Sequence, residues 1–123
     1  MTKGQALQQF WSSFGLTAAY PSTAVPSDAV FPFGVYEVAL GGWEDQAALS
    51  CNLWFYTESE AIPNAKAQEI SDYIGLAGVT IPCDGGLLWI KRGSPFAQPV
   101  TDQSDPAIKR RLLNITVEFL TLN

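Results

Sequence analysis

Histidine is missing from all 123 positions. Its absence removes the commonest general base near neutral pH, the Ser-His-acid and Cys-His catalytic arrangements, and the commonest zinc ligand. Cysteine is nearly missing too. Cys51 and Cys83 are the only two; they lack metal-ligand spacing and read as apolar fillers of a reducing compartment rather than as a disulfide. Neither has a sequence neighbour that would lower its pKa and make it a nucleophile. Neither glycine pair is followed by the Lys-Ser/Thr that a nucleotide-binding loop requires.

Charge is sparse and unbalanced. Charged residues supply 15% of the chain and the net charge is −5. Such a balance argues against a surface built to neutralise phosphates, so specific nucleic-acid binding is not expected. A charged share well below the usual quarter leaves two readings open. Either some apolar surface is buried between subunits, or a sheet surface is made polar by Ser, Thr, Asn and Gln. Five of the seven cations fall in the runs Lys91-Arg92 and Lys109-Arg110-Arg111. These runs read either as surface ion pairs with Asp102 and Asp105 or as a basic patch meeting an acidic partner. The close acid pairs, Glu44-Asp45 and Glu58 with Glu60, lie beside strand ends and read as solvated turn acids. On these grounds no catalytic residue, cofactor or metal is assigned, and the chain is read as a non-enzyme.

No apolar run approaches the ~20 residues that span a bilayer, so no membrane contact is expected. Residues 1–6 lack the basic region and apolar run of a secretory signal, which makes the cytoplasm the expected place of synthesis. What the chain does have is a 47% apolar share, broken up by turn residues. That composition predicts a single folded domain over 1–123 with a real core.

Ala6, Leu7, Phe10, Trp11 and Phe14 recur at helical spacing, predicting a helix over about 3–14 with Thr2 as N-cap and Gly15 as stop. The stripe reads either as core packing or as a surface that docks on another subunit. Residues 18–34, with Pro21, Pro26 and Pro32, read as an extended connector. A strand follows over 35–40, and Gly41-Gly42-Trp43-Glu44-Asp45 forms a turn.

The next strand, about 47–57, alternates Leu49, Cys51, Leu53 and Phe55 toward the core with Ser50, Asn52, Trp54 and Tyr56 on a face suited to contacts. A second helix is expected over about 63–74, with Ala67, Ile70, Tyr73 and Ile74 inward and Lys66, Gln68, Glu69, Ser71 and Asp72 in water. Asp84-Gly85-Gly86 turns a hairpin between 79–82 and 87–92. Residues 93–106 read as a long loop, and the last strand points Leu113, Ile115, Val117 and Phe119 inward. The order predicts an α+β two-layer domain, a mostly antiparallel sheet of about five strands with two helices packed on one face. Aromatic residues outside a core are the usual interface anchors, and Trp43 and Phe96 are the two expected there.

The run from Asp84 through Trp89-Ile90-Lys91-Arg92-Gly93-Ser94-Pro95-Phe96-Ala97-Gln98 resembles a segment of the tail terminator, or tail completion, proteins of long-tailed phages and prophages. Phe31-Pro32-Phe33-Gly34-Val35-Tyr36, Leu53-Trp54-Phe55-Tyr56, Lys66-Ala67, Glu69-Ile70, Asp105 and Lys109-Arg110-Arg111 extend the resemblance from about residue 30 to the end. It implies a hexameric ring at the head-proximal end of the virion tail. Such a ring caps the tail tube, ends its polymerisation and joins the head completion or connector protein, while DNA passes through the lumen. The implied partners are further copies of the chain, the major tail tube protein and the connector. The residues proposed for these interfaces, Trp43, Glu44, Asp45, Arg92, Ser94, Phe96, Gln98 and Arg110, come from the sequence reading and not from the family. A head completion or stopper protein of the neck, and a small binding module unrelated to phages, are the alternative readings.

Overall fold

A computed structural model describes residues 1–101 and 105–123. Eight elements run in the order α1 (Lys3–Ser12), β1 (Ala18–Pro21), β2 (Phe33–Tyr36), β3 (Asp45–Tyr56), α2 (Ala61–Ile74), β4 (Val79–Cys83), β5 (Gly86–Thr101) and β6 (Ile108–Thr121). The strands form one sheet ordered β1-β2-β3-β6-β5-β4. Every neighbouring pair is antiparallel except β1 with β2. The domain is α+β, and its sheet has six strands among the described residues rather than five.

The extra strand corrects the reading of 18–34 as a connector throughout. Ala18–Pro21 pairs in parallel with Phe33–Tyr36 at the border of the sheet. An edge position lets Pro21 sit in a strand without breaking an internal ladder. The strand expected over 35–40 begins and ends earlier, at Phe33 and Tyr36.

The loop expected over 93–106 is corrected as well. β5 continues to Thr101, pairing with β6 on both sides of a bulge between Arg92 and Ala97. Pro95 falls inside that bulge. Pro99 lies beyond the reach of β4, whose pairing with β5 runs from Val79↔Ile90 to Cys83↔Gly86. The far half of β5 is therefore an edge, where a missing N–H costs the sheet nothing. Asp102, expected to pair with the basic runs, lies outside the described residues.

Period-two alternation places Leu49, Cys51, Leu53 and Phe55 of β3 and Leu113, Ile115, Val117 and Phe119 of β6 in one buried layer. Leu88 and Ile90 of β5 continue it. Ala6, Leu7, Phe10 and Trp11 from α1 join the same core, as do Ala67, Ile70 and Ile74 from α2. The α1 stripe is thus core. The helix ends at Ser12 with Ser13 as its C-cap, two residues before the expected end, and Phe14 of the following turn completes the stripe: Phe10 packs edge to face with Trp11 at 4.8 Å and with Phe14 at 5.2 Å between centroids.

The Thr2 hydroxyl caps α1 by accepting from the Gln5 amide at 3.1 Å, and the Gln5 side chain accepts in return from the Thr2 amide at 2.8 Å. α1 touches both β1 and β4, the two border strands of the sheet. Gln8 Nε2 donates to the Ala19 carbonyl at 2.9 Å, and the Asp84 amide donates to the Met1 carbonyl at 2.7 Å. The sheet is curled, and α1 fills the gap between its edges.

α2 begins at Ala61, two residues earlier than expected. Ser71, expected in water, is buried because its hydroxyl accepts from Arg92 Nη1 at 2.9 Å. Tyr73, expected in the apolar stripe, is 55% exposed, though its ring lies edge-on to Phe14 at 5.3 Å.

Candidate interaction surface

The turn before β3 owes its shape to close packing. Gly41 lies against the Phe119 ring, where a Cβ would stand 2.7 Å from Phe119 Cδ2. The Asp45 amide donates to the Gly42 carbonyl at 2.9 Å, and the Glu44 amide donates to the Phe119 carbonyl at 3.1 Å. Asp45 Oδ2 accepts from the Gly42 amide at 3.0 Å. Glu44 takes φ +66°, a left-handed conformation that costs a side-chain-bearing residue roughly 1–2 kcal/mol. The result is a hydrogen-bonded tip on which Trp43 is 62% exposed, followed by two carboxylates.

Arg92 and Arg110, nominated together, lie on opposite faces of the sheet. Arg92 pairs with inward-facing Ile115 and bonds to Ser71 of α2. Arg110 lies opposite Trp54, with its guanidinium 5.0 Å from that ring's centroid and its Nε donating to Asn52 Oδ1 at 2.8 Å. Ser94 and Gln98 are exposed on β5. Asn114 Nδ2 donates to the Pro95 carbonyl across the bulge at 3.0 Å. Phe96 does not stand outside the core as expected. It packs against the core and, with Ala67 and Ser71, lines a cleft between β5 and α2. Phe96 lies in the bulge, immediately before pairing with β6 resumes at Ala97.

Among the described residues, three cations of the basic runs pair with glutamates. Lys91 Nζ lies 3.5 Å from Glu118 and Lys109 Nζ lies 3.9 Å from Glu60. Buried Arg111 pairs with Glu60 and also donates to Asn64 Oδ1, from Nε at 3.1 Å and from Nη2 at 2.9 Å. Asp105 instead accepts from the Ala107 amide at 2.9 Å.

The nominated residues do not converge. Measured along β6, the 41–45 turn lies at Phe119, the bulge at Asn114 and the last basic run at Arg110. At about 3.4 Å per residue, neighbouring sites are separated by roughly 14–17 Å.

Sequence reading missed an aromatic groove on the outer face. The β2–β3 register sets Phe33 opposite Trp54, with the rings stacked at 6.3 Å and 17°. Phe31 lies 5.2 Å from Phe33 and 5.7 Å from Tyr56 between centroids. Phe31, Phe33 and Trp54, with Val25, Val35, Asn52 and Ile108, line a groove of about 400 Å³, and Tyr56 stands beside it against Phe31. Trp54 and Tyr56 were legible as a contact face. Phe31 and Phe33 were not, because they sit in a stretch that reads as connector.

The thiols occupy different surroundings. Burial pushes the Cys51 pKa far above its ordinary value. Partial burial raises that of Cys83, an effect the neighbouring Lys3 ammonium opposes. Burial also raises the Tyr36 hydroxyl. The folded chain therefore keeps protons that the unfolded chain releases. These groups' stabilisation is full below about pH 8 and is lost as pH rises through and beyond about 9. In native thiol titration, Cys83 is expected to react first and Cys51 only on unfolding. Rapid labelling of Cys51 in the folded chain would contradict this placement.

Among the described residues, no three His, Cys, Asp or Glu side chains gather as a metal site, and no helix is long and apolar enough to cross a membrane. The fold and surface define a single α+β domain whose curled sheet exposes an aromatic groove on one face. No protein-family model, curated protein or solved structure matches the chain.

Proposed function

We propose that this chain is a structural assembly protein of a long-tailed phage or prophage, a tail terminator. In this reading it forms a ring on the finished tail tube, ends tube polymerisation and presents a surface to the head connector. The observation that carries assembly is the aromatic groove of Phe31, Phe33 and Trp54 with exposed Tyr56 beside it, together with exposed Trp43. Aromatic residues grouped on a surface are the usual anchors of protein interfaces. The sequence resemblance narrows assembly to tail capping. An acidic, histidine-free chain suits a lumen through which DNA slides without binding.

The test adds purified protein to polymerising tail tube protein encoded in the same genome. Shorter tubes carrying extra ring density at one end in electron micrographs are expected. Tubes of unchanged length with bare ends would overturn the reading.

A further inference from the structure

We propose that copies of this chain join head to tail, with the Trp43 turn of one copy seated in the aromatic groove of the next. This deepens the ring reading above and rests on it only for the claim that the joined copies close.

The two features lie at opposite ends of the same strand. Asp45 opens β3 and Trp54 lies near its end. The nine intervening steps, at about 3.4 Å each, separate them by roughly 30 Å. One copy's turn cannot reach its own groove. Repeating the contact between copies makes a heterologous interface, which forms a ring when its rotation closes.

Charge selects this pairing over the symmetric ones. Trp43 is followed by Glu44 and Asp45, while the groove is bordered by Arg110 over Trp54. Turn against turn would oppose four carboxylates, and groove against groove would oppose two guanidinium groups. Turn against groove sets unlike charges at the rim of an aromatic contact, the arrangement that fixes register and partner.

Shape agrees with charge. The groove holds about 400 Å³, within the size range that accepts small ligands, and is walled by aromatic and aliphatic side chains suited to an indole, with Asn52 the one polar side chain among the described residues of its lining. Leu40 at 73% exposure and Leu122 at 85% lie on the same end of the molecule as Trp43, since Gly42 approaches Asn123. They widen the apolar tip. The left-handed Glu44 retains a charged side chain where glycine would be unstrained, as expected if its carboxylate serves the contact.

Sedimentation velocity and native mass spectrometry on the full chain test the inference. Wild type is expected above monomer mass. Trp43→Ala and Arg110→Glu should each weaken self-association by roughly 30-fold or more, the range of an interface hot spot. An equimolar mixture of the two variants should give dimers and nothing larger, because only the intact turn of Arg110→Glu and the intact groove of Trp43→Ala can meet. Combining Arg110→Glu with Glu44→Lys in one chain, which leaves the Asp45 carboxylate on the Gly42 amide, should restore much of the lost assembly. Circular dichroism checks that each variant folds, and Trp54→Ala replaces Arg110→Glu if the latter does not.

Folded variants that assemble like wild type would overturn the inference, as would a wild-type chain that stays monomeric at high concentration. In either case, tubes still capped by the protein would leave the terminator reading standing. If a groove variant assembles normally but no longer binds tube protein, the groove receives the tube, and the inference falls.

Discussion

Phe119→Ala is expected to destabilise the domain by about 3–5 kcal/mol, lowering the thermal midpoint by roughly 10–20 °C. Phe119 is 1% exposed. It lies on β6 between Asp45 of β3 and Leu88 of β5, so truncation opens a cavity beneath a strand whose backbone is paired on both sides and resists collapse. The same ring supports Gly41. Losing it should free the 41–45 turn, and the Glu44 amide, bonded to the Phe119 carbonyl, should exchange faster in native-state hydrogen exchange. A loss under about 1 kcal/mol in urea unfolding, or unchanged exchange at Glu44, would contradict this account. Self-association should also fall, since a loosened turn no longer presents Trp43.

Trp11→Ala should cost a similar amount, about 3–5 kcal/mol, for a different reason. Trp11 is 1% exposed and belongs to the helix that touches both border strands of the curled sheet. Without the indole, α1 fills the gap between β1 and β4 poorly. The cost should appear as a lower urea midpoint with little change in slope. Trp11→Phe, which keeps a ring, should recover much of the loss. Trp43→Ala is the matched control, a tryptophan of the same size at 62% exposure, and should change stability by no more than about 0.5 kcal/mol. If Trp43→Ala proved as destabilising as Trp11→Ala, Trp43 would belong to the core and the turn could not serve as a free tip.

Most helices and long strands were legible because their signals are local. α1 shows itself in the spacing of Ala6, Leu7, Phe10 and Trp11, and all four are buried. β3 and β6 show themselves in strict alternation, and the residues alternation assigned inward are buried. Proline was the main source of error. Pro21, Pro95 and Pro99 all lie in strands, which is tolerated where a strand has an open edge or a bulge. Edges are a property of the finished sheet.

The proposed interface was legible in part. Trp43, Glu44 and Asp45 were evident as an acidic aromatic turn, and Trp54 as an outward residue. Arg92 and Arg110 look alike in sequence, yet one bonds to α2 and the other stacks on Trp54, because the strand registers put them on opposite faces.

The sequence by itself determined which residues face inward along each long element, since a side chain's direction follows from the period of its own helix or strand. Only the tertiary structure decided which elements become neighbours. Pairing β2 with β3 brings Phe33, 21 positions away, onto Trp54, and pairing β3 with β6 adds Arg110. The groove exists because of those pairings, and a pairing between distant segments is set by how the whole chain shares one core rather than by any local run of residues.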